Sequence, residues 1–177
     1  YEDLIYYQSF DRAWLHEVLT SQPLSQVLDL DWDYQIRSIQ PAIAYDFLVG
    51  WTKEPAISSD LIRQVKGAIK EDFLQESQSA VKNLEKGLRE GNQRVIEASI
   101  QRADQNLKSL NHLIYTPALK VLQQATEGLS ACAKSSGAGG GDCGIALSFD
   151  PVETQTLIDR WKEKNIEVIY QERMGDS

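Results

Sequence analysis

Lys134-Ser-Ser-Gly-Ala-Gly-Gly-Gly-Asp-Cys-Gly-Ile-Ala-Leu147 is the stretch from which the rest of the chain is best read. Ser135 to Gly144 holds five of the eleven glycines in a chain of 177 residues. Small and apolar segments flank it, Leu129 to Ser135 and Cys143 to Phe149, and both read as strands. Glycine at this density lets backbone N–H groups turn toward one point and lets a phosphate approach with no Cβ in the way. No Gly-Lys-Ser/Thr follows at Walker spacing, and the loop leads into a strand where a dinucleotide-binding fingerprint leads into a helix. Composition alone therefore stops at an anion-contacting loop, with a flexible hairpin linker as the other reading.

Downstream, Asp150-Pro151 is a cap followed by Pro at the first helical position, predicting a helix over Val152 to Lys164 and then a strand from Ile166 to Gln171. Upstream, Thr116-Pro117 opens a helix that runs to about Thr126 and is stopped by Gly128. Before it, Val95, Ile96, Ile100, Ala103, Leu107, Leu110 and Ile114 recur at three and four, the period of a long helix that starts after a break at Gly91-Asn92. Ser58-Ser59-Asp60 precede another such run, Leu61, Ile62, Val65, Ile69, Phe73, Val81, Leu84 and Leu88, with an interruption expected near Ser77. Ala44 to Trp51 is dense in aromatic and aliphatic residues and closed by Gly50 and Pro55, which predicts a central strand. Trp51, Trp161 and the long-helix aliphatics read as core.

The resulting order is strand, helices, strand, strand, helix, strand. It predicts an α+β fold, a ferredoxin-like split βαβ antiparallel sheet with helices on one face. Residues 1–43 fit this plan poorly. They read as a β-rich Tyr1 to Phe10, a short helix from Ala13 to Leu19 capped by Asp11, a second helical pattern after Thr20 to Ser25, and a strand from Tyr34 to Ile39. The expected division is 1–43, the end of a neighbouring domain, and 44–177, a domain of its own.

Hydrophobic residues at 42% and charged residues at 25% suit a globular chain, and no apolar run approaches the ~20 residues of a membrane span. A formal charge of -8 without a basic cluster argues against nucleic acid as partner. Two cysteines, Cys132 and Cys143, are too few for a disulfide framework and lack metal-ligand spacing, so both are expected as buried thiols in a reducing cytoplasm. No base is spaced to activate Cys143, and His16 and His112 stand alone, as surface histidines do. The first residue is Tyr1 and no secretory signal follows it, so a piece of a longer protein is expected.

The Ser-Ser-Gly-Ala-Gly-Gly-Gly-Asp-Cys-Gly run, with Lys134 before it, resembles the C-terminal motif of the galactokinase, homoserine kinase, mevalonate kinase and phosphomevalonate kinase (GHMP) superfamily, and its phosphomevalonate branch in particular. Asp46-Phe-Leu-Val-Gly-Trp-Thr-Lys-Glu-Pro-Ala-Ile-Ser-Ser59 is similar to the strand and loop that begin that family's C-terminal domain. Tyr7-Gln-Ser-Phe-Asp-Arg12 and Tyr170-Gln-Glu-Arg-Met-Gly175 resemble further segments of it, so the likeness covers almost the whole chain.

The resemblance implies a GHMP kinase C-terminal domain preceded by a remnant of the N-terminal domain. It implies transfer of the ATP γ-phosphoryl group to 5-phosphomevalonate, with ATP and Mg²⁺ as cofactors of the complete enzyme and the N-terminal half as an intramolecular partner. Ser58, Ser59, Ser136, Gly137, Ala138 and Gly139 are then expected beside the substrate or the transferred phosphoryl group. Gly140 and Gly141 are expected to shape the turn. Lys53 and Lys134 would neutralise phosphate charge or lie solvated at the surface, and capping is the competing role of Ser59. Asp142 is expected to accept backbone N–H bonds within the loop. No catalytic or metal-binding residue is expected in the chain, because the family's ATP phosphate loop, catalytic Lys and acidic residue belong to the half that precedes it. By itself the chain is therefore expected to be inactive. Other superfamily kinases share the fold, and a free-standing ferredoxin-like module that binds without catalysis is the reading from a different class.

Overall fold

The computed structural model describes residues 4–55, 63, 65, 67–137 and 139–175. Ser58, Ser59 and Ala138 lie outside the described residues, as does the helix start expected at Ser58 to Asp60. Close contacts divide the chain into two compact units, Tyr1–Gln40 and Pro41–Ser177.

The first unit pairs β1 (Ile5–Gln8) antiparallel with β2 (Gln35–Ser38), around two helices, α1 (Arg12–Ser21) and α2 (Leu24–Val27). Asp11 caps α1 as expected, its Oδ1 accepting the Ala13 and Trp14 amides at 2.8 and 3.3 Å. Trp32 is the anchor: its ring meets Phe10 and Trp14 edge-on at 5.0 and 6.3 Å, and its Nε1–H donates to Val27 O at 2.8 Å.

The second unit contains β3 (Tyr45–Trp51), α3 (Glu71–Glu90), α4 (Gln93–Leu110), a 3₁₀ turn (His112–Ile114), α5 (Pro117–Gln124), β4 (Ala131–Ser135), β5 (Cys143–Ser148), α6 (Pro151–Glu163) and β6 (Glu167–Met174). Its four strands lie in the order β4-β5-β3-β6 with every neighbour antiparallel, the ferredoxin-like order. β3 is a central strand, as its composition predicts. Leu48 and Ala146 on one face of the sheet pack with Leu122, Leu157, Trp161 and Ile166. A Cβ at Gly50 would stand 2.9 Å from the Trp161 ring, so this strand position must be glycine for α6 to seat its indole. Trp161 Nε1–H in turn donates to Leu122 O at 2.9 Å, which joins α6 to α5. Asp46, buried on β3, accepts from Thr154 Oγ1 at 2.7 Å and from Arg173 at 3.1 Å, tying α6 and β6 to the central strand.

Several boundaries differ from expectation. The helix is not interrupted near Ser77, which lies inside α3. The break comes earlier, at the Gly67–Ala68 turn, and α3 restarts after Lys70 with Glu71 and Asp72 in its dipole-favoured first turn. Gly91 ends α3 at φ +65, and a Cβ there would meet Ala42 O at 2.6 Å. Asn92 then caps α4. Three core expectations fail: Trp51 is 38% exposed, Ile69 42% and Val81 47%. Strand alternation turns Trp51 to the face opposite Gly50 and Trp161, and Val81 points out of the α3–α4 pair. Cys132 is buried, but Cys143 is only half-buried. The last strand runs three residues beyond Gln171, to Met174 along β3. Among the described residues no helix is long and apolar enough to cross a membrane.

Candidate functional site

The glycine loop connects β4 to β5, and its neighbours hold it at four points. At its base, the Ser136 amide and hydroxyl both donate to Cys143 O at 3.0 Å. At its crest, the Gly140 amide donates to Ile114 O at 2.8 Å. On its return, the Asp142 amide donates to Glu54 O at 2.7 Å, and Asp142 O accepts both the amide and the hydroxyl of Thr52, each at 2.7 Å. At its start, the Ser135 amide donates to the Tyr115 hydroxyl at 3.3 Å. The loop following β3 and the glycine loop are thus stitched together, which unites the two motifs singled out in the sequence.

Each glycine has its own reason. Gly139, Gly140 and Gly141 have φ of +80, +85 and +125, a path closed to ordinary side chains. A Cβ at Gly139 would also stand 2.4 Å from Ile114 O, and one at Gly141 would stand 3.1 Å from the Glu54 and Pro55 carbonyls. Gly137 has open space around it and is exposed. Among the described residues, the amides of Ser135, Ser136, Gly140 and Asp142 are engaged by protein acceptors, while those of Gly137, Gly139 and the buried Gly141 make no such bond. Asp142 secures the loop through its backbone at φ +65, with its side chain exposed. Among the described residues no loop N–H donates to its carboxylate, which departs from the expectation.

The two lysines are both occupied. Lys53, at φ +62, reaches Asn165 Oδ1 at 3.2 Å and Glu167 at 3.4 Å. Lys134 folds back to donate to Ser135 O. Burial lowers its pKa, and the Asp104 carboxylate partly offsets that. Cys143 is pushed toward the thiol by burial and by the neighbouring Asp142. Among the described residues no three His, Cys, Asp or Glu side chains come together as a metal-ligand set.

Local sequence pattern does not single out Thr52, Ile114 or Tyr115. Tyr115 is buried at 4% exposure, and its pKa is raised first by burial and then by Asp104. The one available signal is its place immediately before the Thr116 cap, which puts a phenol at a helix entrance beside a strand end.

No protein-family profile matches the sequence. A curated phosphomevalonate kinase from Streptomyces sp. (strain CL190) is 32% identical over 154 residues, 81% of this chain and 41% of the relative. The crystal structure of Streptococcus pneumoniae phosphomevalonate kinase matches with a TM-score of 0.91 at 47% identity, over 98% of this chain and 54% of that one. The same kinase has been solved in complex with phosphomevalonate and AMPPNP. Leishmania major mevalonate kinase, at 16% identity and a TM-score of 0.66, shares the fold over 81% of this chain. The chain spans about half the length of these phosphomevalonate kinases. In sequence and in fold it is a counterpart of about half of a phosphomevalonate kinase, built on the GHMP kinase fold.

Proposed function

We propose that the polypeptide containing this chain transfers the γ-phosphoryl group of ATP to 5-phosphomevalonate, giving 5-diphosphomevalonate and ADP in isoprenoid precursor synthesis. The observation that carries this reading is the 47% identity, over 98% of the chain, to a kinase solved with phosphomevalonate and AMPPNP. In this reading residues 1–43 end the N-terminal domain and 44–177 are the C-terminal domain. Its setting is the cytoplasm, in keeping with two free thiols.

Phosphoryl transfer is largely positioning and charge stabilisation, and backbone N–H groups aimed before the reaction meet developing negative charge without reorganising. The amides of Gly137 and Gly139 are the donors on offer, with Ser136 exposed beside them. Ser58, Ser59 and Ala138 complete the proposed substrate wall by family resemblance alone. Lys53 and Lys134 belong to it only by exchanging their protein partners for the ligand. Among the described residues no three His, Cys, Asp or Glu side chains gather as a metal-ligand set, and no step here depends on the Mg²⁺ expected with ATP.

The test is a coupled ADP assay on the parent polypeptide with mevalonate, phosphomevalonate and homoserine as acceptors, run beside the 177-residue chain alone. The expected result is phosphomevalonate-dependent ADP release by the parent and none by the chain. Faster turnover of another acceptor overturns the substrate assignment. Activity of the chain alone overturns the division of labour.

A further inference from the structure

We infer that Tyr115 is a positioning residue for the glycine loop, a strut whose hydroxyl holds the Ser135 amide while the adjoining Ile114 carbonyl holds Gly140. The inference deepens the proposed function, on whose reading of the loop it rests.

β4 is an edge strand. The Ser136 amide points inward to Cys143 O on β5, so the Ser135 amide, one residue earlier, points outward where no strand can take it. Burying that donor unpaired would be costly, and Ser135 is fully buried. The Tyr115 hydroxyl takes it at 3.3 Å, and Gln123 Nε2 closes the same edge two residues earlier by donating to Ala133 O at 3.0 Å.

The phenol is itself held. Asp104, 5% exposed on α4, places its carboxylate near enough to the phenol to help raise the Tyr115 pKa, and its Oδ2 is fixed by Lys108 Nζ at 2.6 Å. Lys108 Nζ also lies 4.6 Å from the centre of the Tyr115 ring, and it donates to Gln123 Oε1 at 3.0 Å. Asp104 Oδ1 has no hydrogen-bond partner among the described residues. Such an oxygen is expensive to bury, and its negative charge beside the phenol keeps the hydroxyl protonated. The strut thus runs from α4 through the turn before α5 to the loop, and sets it at two points, Ser135 and Gly140. The amides of Gly137 and Gly139, unbonded among the described residues, lie between those points, so their aim follows from it.

Tyr115→Phe removes one oxygen and keeps the ring. In the parent polypeptide kcat is expected to fall about tenfold while KM for phosphomevalonate stays within about twofold, the signature of mis-aimed donors rather than lost binding. Leu110→Ala, which thins the same hydrophobic cluster without touching the hydroxyl, is expected to lower thermal stability and leave kcat unchanged. In the 177-residue chain, Tyr115→Phe should speed hydrogen exchange at the Ser135 and Gly140 amides about tenfold and leave the β3 amides unchanged. Unchanged exchange at both amides overturns the strut, and so does an unchanged kcat. A parent polypeptide with no phosphomevalonate-dependent ADP release overturns the functional reading alone, and exchange in the chain then decides the strut either way.

Discussion

Gly137 and Gly139 stand two residues apart in one loop, and the same added methyl group would meet different surroundings at each. At Gly139 the backbone is left-handed at φ +80 and Ile114 O lies 2.4 Å from where a Cβ would go. The conformational cost and the clash add, because backbone must move to relieve the second, so Gly139→Ala is expected to destabilise by about 2–4 kcal/mol. At Gly137 nothing lies within 4 Å, and alanine there is expected to change stability by less than about 0.5 kcal/mol. If the exposed face of Gly137 meets a phosphate, that substitution lowers turnover without lowering stability. Thermal melts of the two variants, read beside the ADP assay, separate these demands. A Gly139→Ala melt within a degree of the parent would show that the seat against Ile114 is not rigid.

Elements whose residues answer to local chemistry are legible in the amino-acid sequence. Asp11, Thr116-Pro117 and Asp150-Pro151 open helices where capping chemistry predicts, and Gly91 closes one. The period across Val65, Ile69 and Phe73 misleads, since it runs unbroken through a turn that Gly67 makes. The density of glycines marks the loop, but not which glycine does what: that depends on Ile114 and Glu54, and on Thr52, which is ninety residues from Asp142. The knot around Asp46 is of this non-local kind. One carboxylate on β3 accepts from Thr154 on α6 and Arg173 on β6, across 108 and 127 residues. Asp46→Ala takes this acceptor from the half-exposed Arg173 guanidinium and leaves the Thr154 hydroxyl only Asp150 O at 3.0 Å, and is expected to cost about 1–3 kcal/mol. Thr154→Val is expected to cost about 1 kcal/mol, because Arg173 keeps its partner. Denaturant unfolding of the two single variants and the double variant checks this, and additive losses would mean the three groups do not act as one.

In the Pro41–Ser177 unit as a whole, burial of weak acids couples stability to alkaline pH. Burial, with Glu97 adding to it, raises the Cys132 thiol from an ordinary 9.0 to about 12. Burial raises Tyr45 from 10.0 to about 12, and burial with Asp104 raises Tyr115 as well. Each group keeps its proton in the folded chain at a pH where the unfolded chain has released it. Unfolding then releases protons, and stability falls as pH rises, by about 1.4 kcal/mol per pH unit for each group past its unfolded value. Lys134 acts in the opposite sense: burial lowers its pKa from 10.5, so it adds stability as pH climbs toward that value and offsets the thiol there. The stability contributed by the three acids is therefore complete below pH 9, and its net loss is steepest from about pH 10, where the phenols join, to about 12. Guanidinium midpoints taken at pH 8, 9, 10 and 11 are expected to drop most over the last interval. Cys132→Ala should make that drop shallower by about one proton's worth. A midpoint that declines no faster from 10 to 11 than from 8 to 9 would mean that these groups ionise in the folded chain as freely as in the unfolded one.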